Sequence, residues 1–459
     1  MGSIEKQRES ALKVVEKLQT AGFQALFAGG CVRDHLLGRT PSDYDVATNA
    51  LPDEVENLFP KTLPIGKAFG VMAVVDGKCV VEVATFRKDA VSSDGRRPHS
   101  ISFCAAKEDA LRRDFTINGM FFDPIQEKLI DYVHGQRDLE NQLVRAIGDP
   151  TRRFQEDHLR MLRALRFTHN LQFVLDPETE AAIQKMAALI CDISAERIEQ
   201  ELTRILTRSP RPGDALRHML QLGILQHILP EIPPMVGQEQ PPQFHPEGDV
   251  FEHTVLMLNL MGELPPNPHY TPRELAYSVL LHDVGKPPTA QMGVGTDGQP
   301  RIRFNGHASK SAQMAEQILG RLKFPNQEKK HILTAIHDHM RFMEVQNMRT
   351  STLRKMIGAG TFELEMALHR LDCLGSHEML DNYQFVRAFQ EKMANEPILP
   401  ERWVTGHDLL KMGIRKGQRI GKILAEAYDL QMENRFPSKT ELLNWIQKEY
   451  PPAEEITEE

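Results

Sequence analysis

Asp43 and Asp45 stand one residue apart, a short helical run downstream of the glycine pair Gly29-Gly30. Two convergent carboxylates repel each other unless a divalent cation lies between them. A pair of Mg²⁺ ions held this way can clamp the attacking and leaving oxygens of a phosphoryl transfer. Glycines let backbone N–H groups approach a triphosphate closely. Alone, a Gly-Gly is usually a turn and an Asp-X-Asp is usually a solvated loop. Together, at this spacing, they point to metal-assisted nucleotidyl transfer, with Asp43 and Asp45 as the catalytic metal ligands.

Two further groups extend this chemistry. Arg112-Arg113-Asp114 offers adjacent guanidinium groups for phosphate, and Asn118 offers an amide for a ribose or base. The bland alternative is a surface salt-bridge cluster. Glu156-Asp157-His158-Leu159-Arg160 continues to Arg163 and Arg166. On a helix, Asp157, Arg160 and Arg163 drift slowly around one face, while Arg166 falls half a turn away from Asp157. An Asp acceptor beside an Arg donor matches the Watson–Crick edges of adenine and cytosine, so side chains would select the base. The bland alternative is an ordinary surface ion pair.

The second half of the chain places histidines and aspartates in series: His253, His282-Asp283, His307, His339 and Asp372. Imidazoles with carboxylates and no cysteines suit Mn²⁺, Co²⁺, Ni²⁺ or Zn²⁺, and such a site can activate water for phosphoester hydrolysis. Any one of these histidines, taken singly, reads equally well as a satisfied core residue.

These residues need elements to hold them. Residues 10–21 have the pattern of an amphipathic helix, and Gln24 to Ala28 that of a short strand entering the glycine turn. Asp43 and Asp45 flank a strand-like run, Tyr44 to Ala47, whose alternation puts both carboxylates on one face. Val71 to Val75 and Cys79 to Phe86 read as a hairpin across Asp76-Gly77. On its second strand Glu82, Ala84 and Phe86 share a face, which makes Glu82 either a third carboxylate or an edge-strand charge. Residues 88–100 read as a mobile loop. From about 138 to 229 the chain turns helical. Pro-rich stretches at 230–246 and 264–272 follow, the first a domain boundary, and Pro397 and Pro400 mark a last junction.

Bulk properties narrow the class. A chain of 459 residues with 41% hydrophobic content suits several globular domains. No apolar run approaches the roughly 20 residues of a membrane span, and Met1 to Thr20 lacks a signal core, so a cytoplasmic protein without a membrane partner is expected. Five scattered cysteines argue for a reducing compartment and against a disulfide frame. The net charge of −8 does not announce a nucleic-acid partner, so any basic surface must be local.

With these stretches in order, residues 27–170 resemble the class II tRNA nucleotidyltransferases, the CCA-adding enzymes and their bacterial poly(A) polymerase relatives. The resemblance rests on Gly29-Gly30-Cys31-Val32-Arg33-Asp34, Leu36 to Thr48, Glu82 to Arg87, Asp94 to Pro98, the Arg112-Arg113-Asp114 run and Asp131 to Leu139. It implies that Gly30 and Arg33 hold the triphosphate with Arg113, that Asp43 and Asp45 bind Mg²⁺, and that Asp157 and Arg160 read the base, assisted by Arg163 and Arg166. It implies attack of a tRNA 3′-hydroxyl on the α-phosphate of CTP or ATP. The chain departs from the family at Gly119, where Ala is usual; the change should be tolerated. Residues 242–395 resemble an HD-superfamily phosphohydrolase. By that resemblance His253, His282, Asp283 and Asp372 are metal ligands, and His307 and His339 match the extra histidines of two-metal members, with His337 an alternative to His339. Mn²⁺, Co²⁺, Ni²⁺ or Mg²⁺ would serve there, with 2′,3′-cyclic phosphates among the candidate substrates. The last segment resembles the tail that follows such domains, with Lys411, Arg415, Lys416, Arg419 and Lys422 facing RNA.

The expectation is a multidomain α+β protein. A small mixed-sheet nucleotidyltransferase head (1–138) precedes an all-helical neck and body (139–229), a helical HD domain (242–395) and a helical tail (400–459). The expected activity is addition of CCA, or of the terminal A, to tRNA 3′ ends. Poly(A) addition is the alternative within the class. A phosphohydrolase with a regulatory nucleotide-binding head, or a non-catalytic RNA-binding protein, are the alternatives outside it.

Overall fold

Ala25-Leu26-Phe27-Ala28 forms a strand, β1, with all four residues buried. The computed structural model describes residues 2–89, 101–294 and 298–451. Most of the expected 88–100 loop, with Arg96 and Arg97, and the acidic end at 454–459 lie outside them. The chain separates into two compact units, Met1–Val236 with Gly320–Lys323, and Gly237–Leu319 with Phe324–Glu459. The cut after Val236 falls within the Pro-rich stretch 230–246.

In the first unit, β1 pairs antiparallel with β2 (Asp45–Thr48), Ala28 opposite Asp45. Three more strands follow, β3 (Thr62–Gly66), β4 (Val71–Asp76) and β5 (Cys79–Thr85). Two short ones, β6 (Phe121–Asp123) and β7 (Lys128–Ile130), complete a seven-stranded sheet in the order β3-β4-β5-β2-β1-β6-β7. Only β2 and β5 run parallel, with Val46 opposite Val83. Gly77 turns the β4–β5 hairpin at φ 61°. Phe86 lies past the end of β5 and leaves the face of Glu82 to pack in the core against Phe121, ring centroids 5.7 Å apart.

The helix Gly2–Thr20 lies on this sheet through Ala11, Val14, Val15 and Leu18, spaced for one face. It begins well before residue 10, because Glu, Lys, Gln and Arg carry it outward at little cost. Beyond the sheet the unit is helical. Pro150 and Pro177 each open a helix behind an aspartate cap, Asp149 and Asp176. One short parallel pair, Leu143–Val144 with Val174–Leu175, interrupts the expected all-helical neck.

In the second unit the helix Pro272–Leu281 is buried all round from Glu274 to Leu281, as a central helix must be. Thr271 and Glu274 close its start as a capping box. The helices Val250–Leu260, Asn326–Asp338 and Phe362–Leu374 pack on it. A hairpin, Gln291–Val294 with Pro300–Arg303, is a β element that the helical expectation for this region did not contain. The tail helices Gly406–Lys411, Gln418–Met432 and Lys439–Glu449 share their own core of Leu409, Ile414, Ile423, Leu442 and Ile446. No helix among the described residues is long and apolar enough to cross a membrane.

Candidate functional site

Gly29 turns the chain from β1 into the helix Gly30–Leu36 at φ 71°, ψ −125°, a conformation that L side chains rarely adopt. A Cβ there would also come within 3.2 Å of Arg113 Nη1. Arg33, on the helix so begun, is buried and donates to Asp34 Oδ1 from Nε at 2.9 Å and to Asn118 Oδ1 from Nη1 at 2.7 Å. Arg113 donates from Nη1 to the Asn118 carbonyl at 3.3 Å, while Arg112 and Arg113 grip the two oxygens of Asp109. Asn118 thus gathers Arg33 and Arg113 beside the glycine turn. Its buried amide also donates to Asp114 at 3.1 Å, so it is occupied in holding arginines and does not present itself to a ribose or base as expected.

Across β1, Asp45 opens β2 with its side chain exposed, and Asp43 lies in the loop just before the strand rather than in it. Loss of water around the carboxylate, then the charges of Asp43 and Glu82, push the Asp45 carboxyl up to about 6 against the pull of Arg113. Glu82 therefore belongs to the same acidic cluster. A cluster whose own repulsion disfavours ionisation is a fitting seat for divalent cations with oxygen ligands.

Asp157, Arg160 and Arg163, expected along one face of a single helix, do not lie on one helix. The helix Pro150–Glu156 ends at Asp157, which is extended at φ −155°, and a new helix runs Arg160–Leu171. Asp157 accepts from the Leu159 N–H at 3.1 Å and from Arg197 Nη2 at 2.7 Å. Arg160 pairs with Glu156 at 2.7 Å and donates to the Arg112 carbonyl at 3.2 Å. Arg163 forks onto Asp114, at 2.8 and 2.6 Å, and Arg166 pairs with the buried Glu201 at 2.8 Å. Burial pulls Arg166 down to about 10, against Glu201. Arg33, Arg163 and Arg166 instead surround the ring of Phe167, at 5.1, 5.4 and 4.4 Å from its centroid. Asp157 and Arg160 remain neighbours at the helix break, where the Arg160 N–H donates to the Asp157 carbonyl at 3.0 Å. Arg153 is committed inward to Glu156 and to the carbonyls of Ile147, Leu111 and Arg112. Asp109, Glu156 and Glu201 were missed as partners, although Asp109 stands three and four residues before the arginines it holds.

In the second unit the histidines and aspartates converge. Ligand atoms of His253, His282 and Asp372 lie within 4.8 Å of one another, and so do those of Asp283, His307 and His339. His337 stays outside, exposed and paired with Asp338, because the helix ends at Asp338 and only His339 turns inward. His282 and Asp283 follow directly on the buried central helix. Gly285 lets the helix His307–Arg321 approach, since a Cβ there would lie 2.5 Å from the Ser311 nitrogen. His307 Nε2 and His339 Nε2 face each other at 3.2 Å, with Asp283 Oδ1 3.5 and 4.0 Å away. His282 Nε2 and Asp283 Oδ1 are buried without a hydrogen-bond partner, as expected of atoms aimed at a cation. The nitrogen and oxygen donor set fits a divalent transition metal. Burial and the neighbouring His282 hold His339 down to about 4. Burial also disfavours a proton on His253, but Asp372 and Glu247 outweigh it and push that group up to about 9. Lys286, which the sequence reading did not single out, pairs with Asp283 at 2.6 Å and with Gln240 at 2.6 Å. A cavity of about 780 Å³ opens on Asp283, Lys286, His307, His339 and Asp372, with Phe244 and Met343 also in its wall.

The chain matches three protein families in succession. Residues 25–145 match the poly A polymerase head domain, residues 172–235 the probable RNA and SrmB-binding site of polymerase A, and residues 250–371 the HD domain. It is 43% identical over 221 residues to a CCA-adding enzyme of Geobacillus sp. (strain WCH70), covering 48% of this chain and 54% of that one. It is 42% identical over 231 residues to the CCA-adding enzyme of Bacillus subtilis (strain 168), covering 50% and 57%. These matches span about half the length of the curated relatives. The crystal structure of the Bacillus stearothermophilus CCA-adding enzyme in complex with CTP is similar at a TM-score of 0.71 and 25% identity, over 96% of this chain and 97% of that one. The Thermotoga maritima CCA-adding enzyme complexed with tRNA shares the fold at a TM-score of 0.61 and 18% identity, over 96% and 95%. The chain thus carries matches to a poly A polymerase head domain, to the probable RNA and SrmB-binding site of polymerase A and to an HD domain, in that order, and is similar over about half its length to CCA-adding enzymes.

Proposed function

We propose that the chain adds CCA, or its terminal A, to tRNA 3′ ends from CTP and ATP without a nucleic-acid template, and that its second unit is a metal-dependent phosphohydrolase. The observation that carries the first reading is the acidic cluster of Asp43, Asp45 and Glu82, with Arg113 close enough to act on Asp45. Mg²⁺ held by Asp43 and Asp45 would activate the tRNA 3′-hydroxyl and neutralise the departing pyrophosphate. Arg33 and Arg113, held through Asn118, bind the triphosphate at the glycine turn with Gly30. Asp157 and Arg160 select the base, and Arg163 and Arg166 fix the helix behind them. Exposed Lys411, Arg415, Lys416, Arg419 and Lys422 contact the RNA backbone. In the second unit His253, His282, Asp283, His307, His339 and Asp372 hold Mn²⁺, Co²⁺, Ni²⁺ or Mg²⁺, which would supply Lewis acidity for phosphoester hydrolysis. Lys286 sets Asp283 and neutralises a phosphate in the cavity. Residues 1–138 form the head, 139–229 the neck and body, 242–395 the HD domain and 400–459 the tail.

Paired substitutions separate the two activities. Asp45→Ala should abolish nucleotide incorporation into tRNA and spare hydrolysis of bis-p-nitrophenyl phosphate. His282→Ala combined with Asp283→Ala should do the reverse. Incorporation that survives Asp45→Ala, or hydrolysis that survives the double substitution, contradicts the corresponding half.

A further inference from the structure

Three of the four histidines in the second unit's cluster share one device. His282, His307 and His339 each direct Nδ1 at the carbonyl three residues upstream, on Val279 at 2.8 Å, Phe304 at 2.8 Å and Ile336 at 2.6 Å. A carbonyl can only accept, so Nδ1 carries the proton and Nε2 keeps its lone pair for the cluster. His253 is different. It stands inside the helix Val250–Leu260, where the Thr254 hydroxyl already donates to the Val250 carbonyl at 2.9 Å. Its Nδ1 meets Glu247 Oε1 at 2.6 Å and the Gly375 carbonyl at 3.2 Å, while its Nε2 faces Asp372 at 3.1 Å.

Glu247 comes from the loop ahead of that helix, and its side chain is only 8% exposed. The same Oε1 also accepts from His245 Nδ1 at 2.9 Å, and Oε2 is buried without a partner. The side-chain hydrogen bonding of this buried carboxylate therefore goes to two imidazoles. His245, Glu247 and His253 are themselves close enough to form a ligand group. That use would take His253 Nδ1 as a ligand atom, and the ring cannot offer both nitrogens as lone pairs without becoming an anion.

We propose that Glu247 is a positioning residue. It fixes the Nδ1–H form of His253 and aims Nε2 at the cation, the task that backbone carbonyls perform for the other three histidines. The inference rests on the reading of the second unit as a metal site. Outer carboxylates of this kind typically change metal affinity by about 10- to 100-fold.

The test uses the full chain, stripped with chelator and titrated calorimetrically with Mn²⁺. Nitrogen-detected histidine spectra with Zn²⁺ report which ring nitrogen is bound. Metal-free melting curves establish that each variant is folded. Glu247→Ala leaves His253 Nδ1 only the longer contact with the Gly375 carbonyl, and should weaken Mn²⁺ binding about 10- to 100-fold and let a second His253 tautomer appear in the metal-free chain. Glu247→Gln, whose amide oxygen still accepts from Nδ1–H, should retain the tautomer and recover part of the affinity. Unchanged affinity in Glu247→Ala, beside a clear loss in His282→Ala, overturns the proposal while leaving the metal site standing. In the unsubstituted chain, a Zn²⁺ shift at His253 Nδ1 instead of Nε2 overturns it whatever the variants do. An unsubstituted chain that binds neither metal removes the metal-site reading and this inference with it.

Discussion

Replacing Asp114 by alanine removes four hydrogen bonds at once. Its Oδ2 accepts from Arg163 Nε at 2.8 Å and Nη2 at 2.6 Å, and its Oδ1 accepts from the Phe115 N–H at 2.8 Å and from Asn118 Nδ2 at 3.1 Å. Burial opposes ionisation, yet the Arg163 charge and fork hold the carboxyl well below the usual carboxylate range. Its folded pKa lies below the unfolded value near 3.8, so this stabilisation is present above that pH and is lost as pH falls further. Breaking a buried pair from one side costs about 3–5 kcal/mol. Arg163 keeps 32% of its side chain in water, which reduces the expected loss to about 2–3 kcal/mol. At 1.4 kcal/mol per factor of ten, amide exchange should accelerate roughly 30- to 150-fold. Hydrogen-exchange mass spectrometry at pH 7 reads this in peptides spanning 111–121 and 160–171. Asp114→Asn keeps an acceptor for the Phe115 N–H and should lose less. Exchange within twofold of the unsubstituted chain in both peptides after Asp114→Ala would refute the reasoning.

Three other outcomes are expected. If Mg²⁺ sits on Asp45 as proposed, it needs the ionised carboxylate, so the apparent Mg²⁺ affinity for nucleotide incorporation should fall as pH drops below about 6; affinity that stays flat from pH 7 to 5 in initial-rate titrations contradicts this. Gly119→Ala would bring a Cβ to 2.7 Å from Val133 Cγ2 and 3.0 Å from Ile147 Cδ1, so this chain has filled the space that the family's usual alanine would take. The overpacking should cost about 1–2 kcal/mol in chemical denaturation. The cost should shrink in a Val133→Ala background, and an equal cost in both backgrounds counts against the explanation. Arg354, 3% exposed, donates to the carbonyls of Pro397, Ile398 and Met432. Arg354→Met strands these acceptors at about 1–3 kcal/mol each if they stay buried. The chain's two tryptophans, Trp403 and Trp445, both lie in the tail, so their emission should change at a lower temperature than far-UV circular dichroism. Coincident transitions in Arg354→Met would argue against Arg354 tying the tail down through these carbonyls.

Local chemistry was the legible part. The glycine turn and the Asp43/Asp45 pair announce themselves because residue type and short spacing together limit what they can do, and the β4–β5 hairpin is written in Asp76-Gly77. The His–Asp series was legible only as a set, because its members come together from five separate helical segments. Asp157 was misread as part of one continuous helix. Nothing local marks the break, since Leu159 and Arg160 would propagate a helix, and it is Arg197, forty residues on, that holds the extended turn. Asn118 looked like a nucleotide contact and proved to be a clamp, because the sequence does not show that its amide is buried. His337 and His339 were equivalent by type, and the end of the helix at Asp338 separates them. Glu247 was passed over as one loop acid among many, and only the tertiary contact with His253 reveals it.

The central claim is tested most directly by sizing products on three tRNAs, ending at the discriminator base, at C, and at CC. Each is incubated with purified protein, Mg²⁺ and CTP, ATP or both. Template-free end building predicts that the shortest tRNA gains three nucleotides only with both triphosphates, or, for terminal-A addition, that only the CC-ending tRNA grows, by one A. A long ladder with ATP alone would make the chain a poly(A) polymerase, and no extension on any of the three would contradict the account.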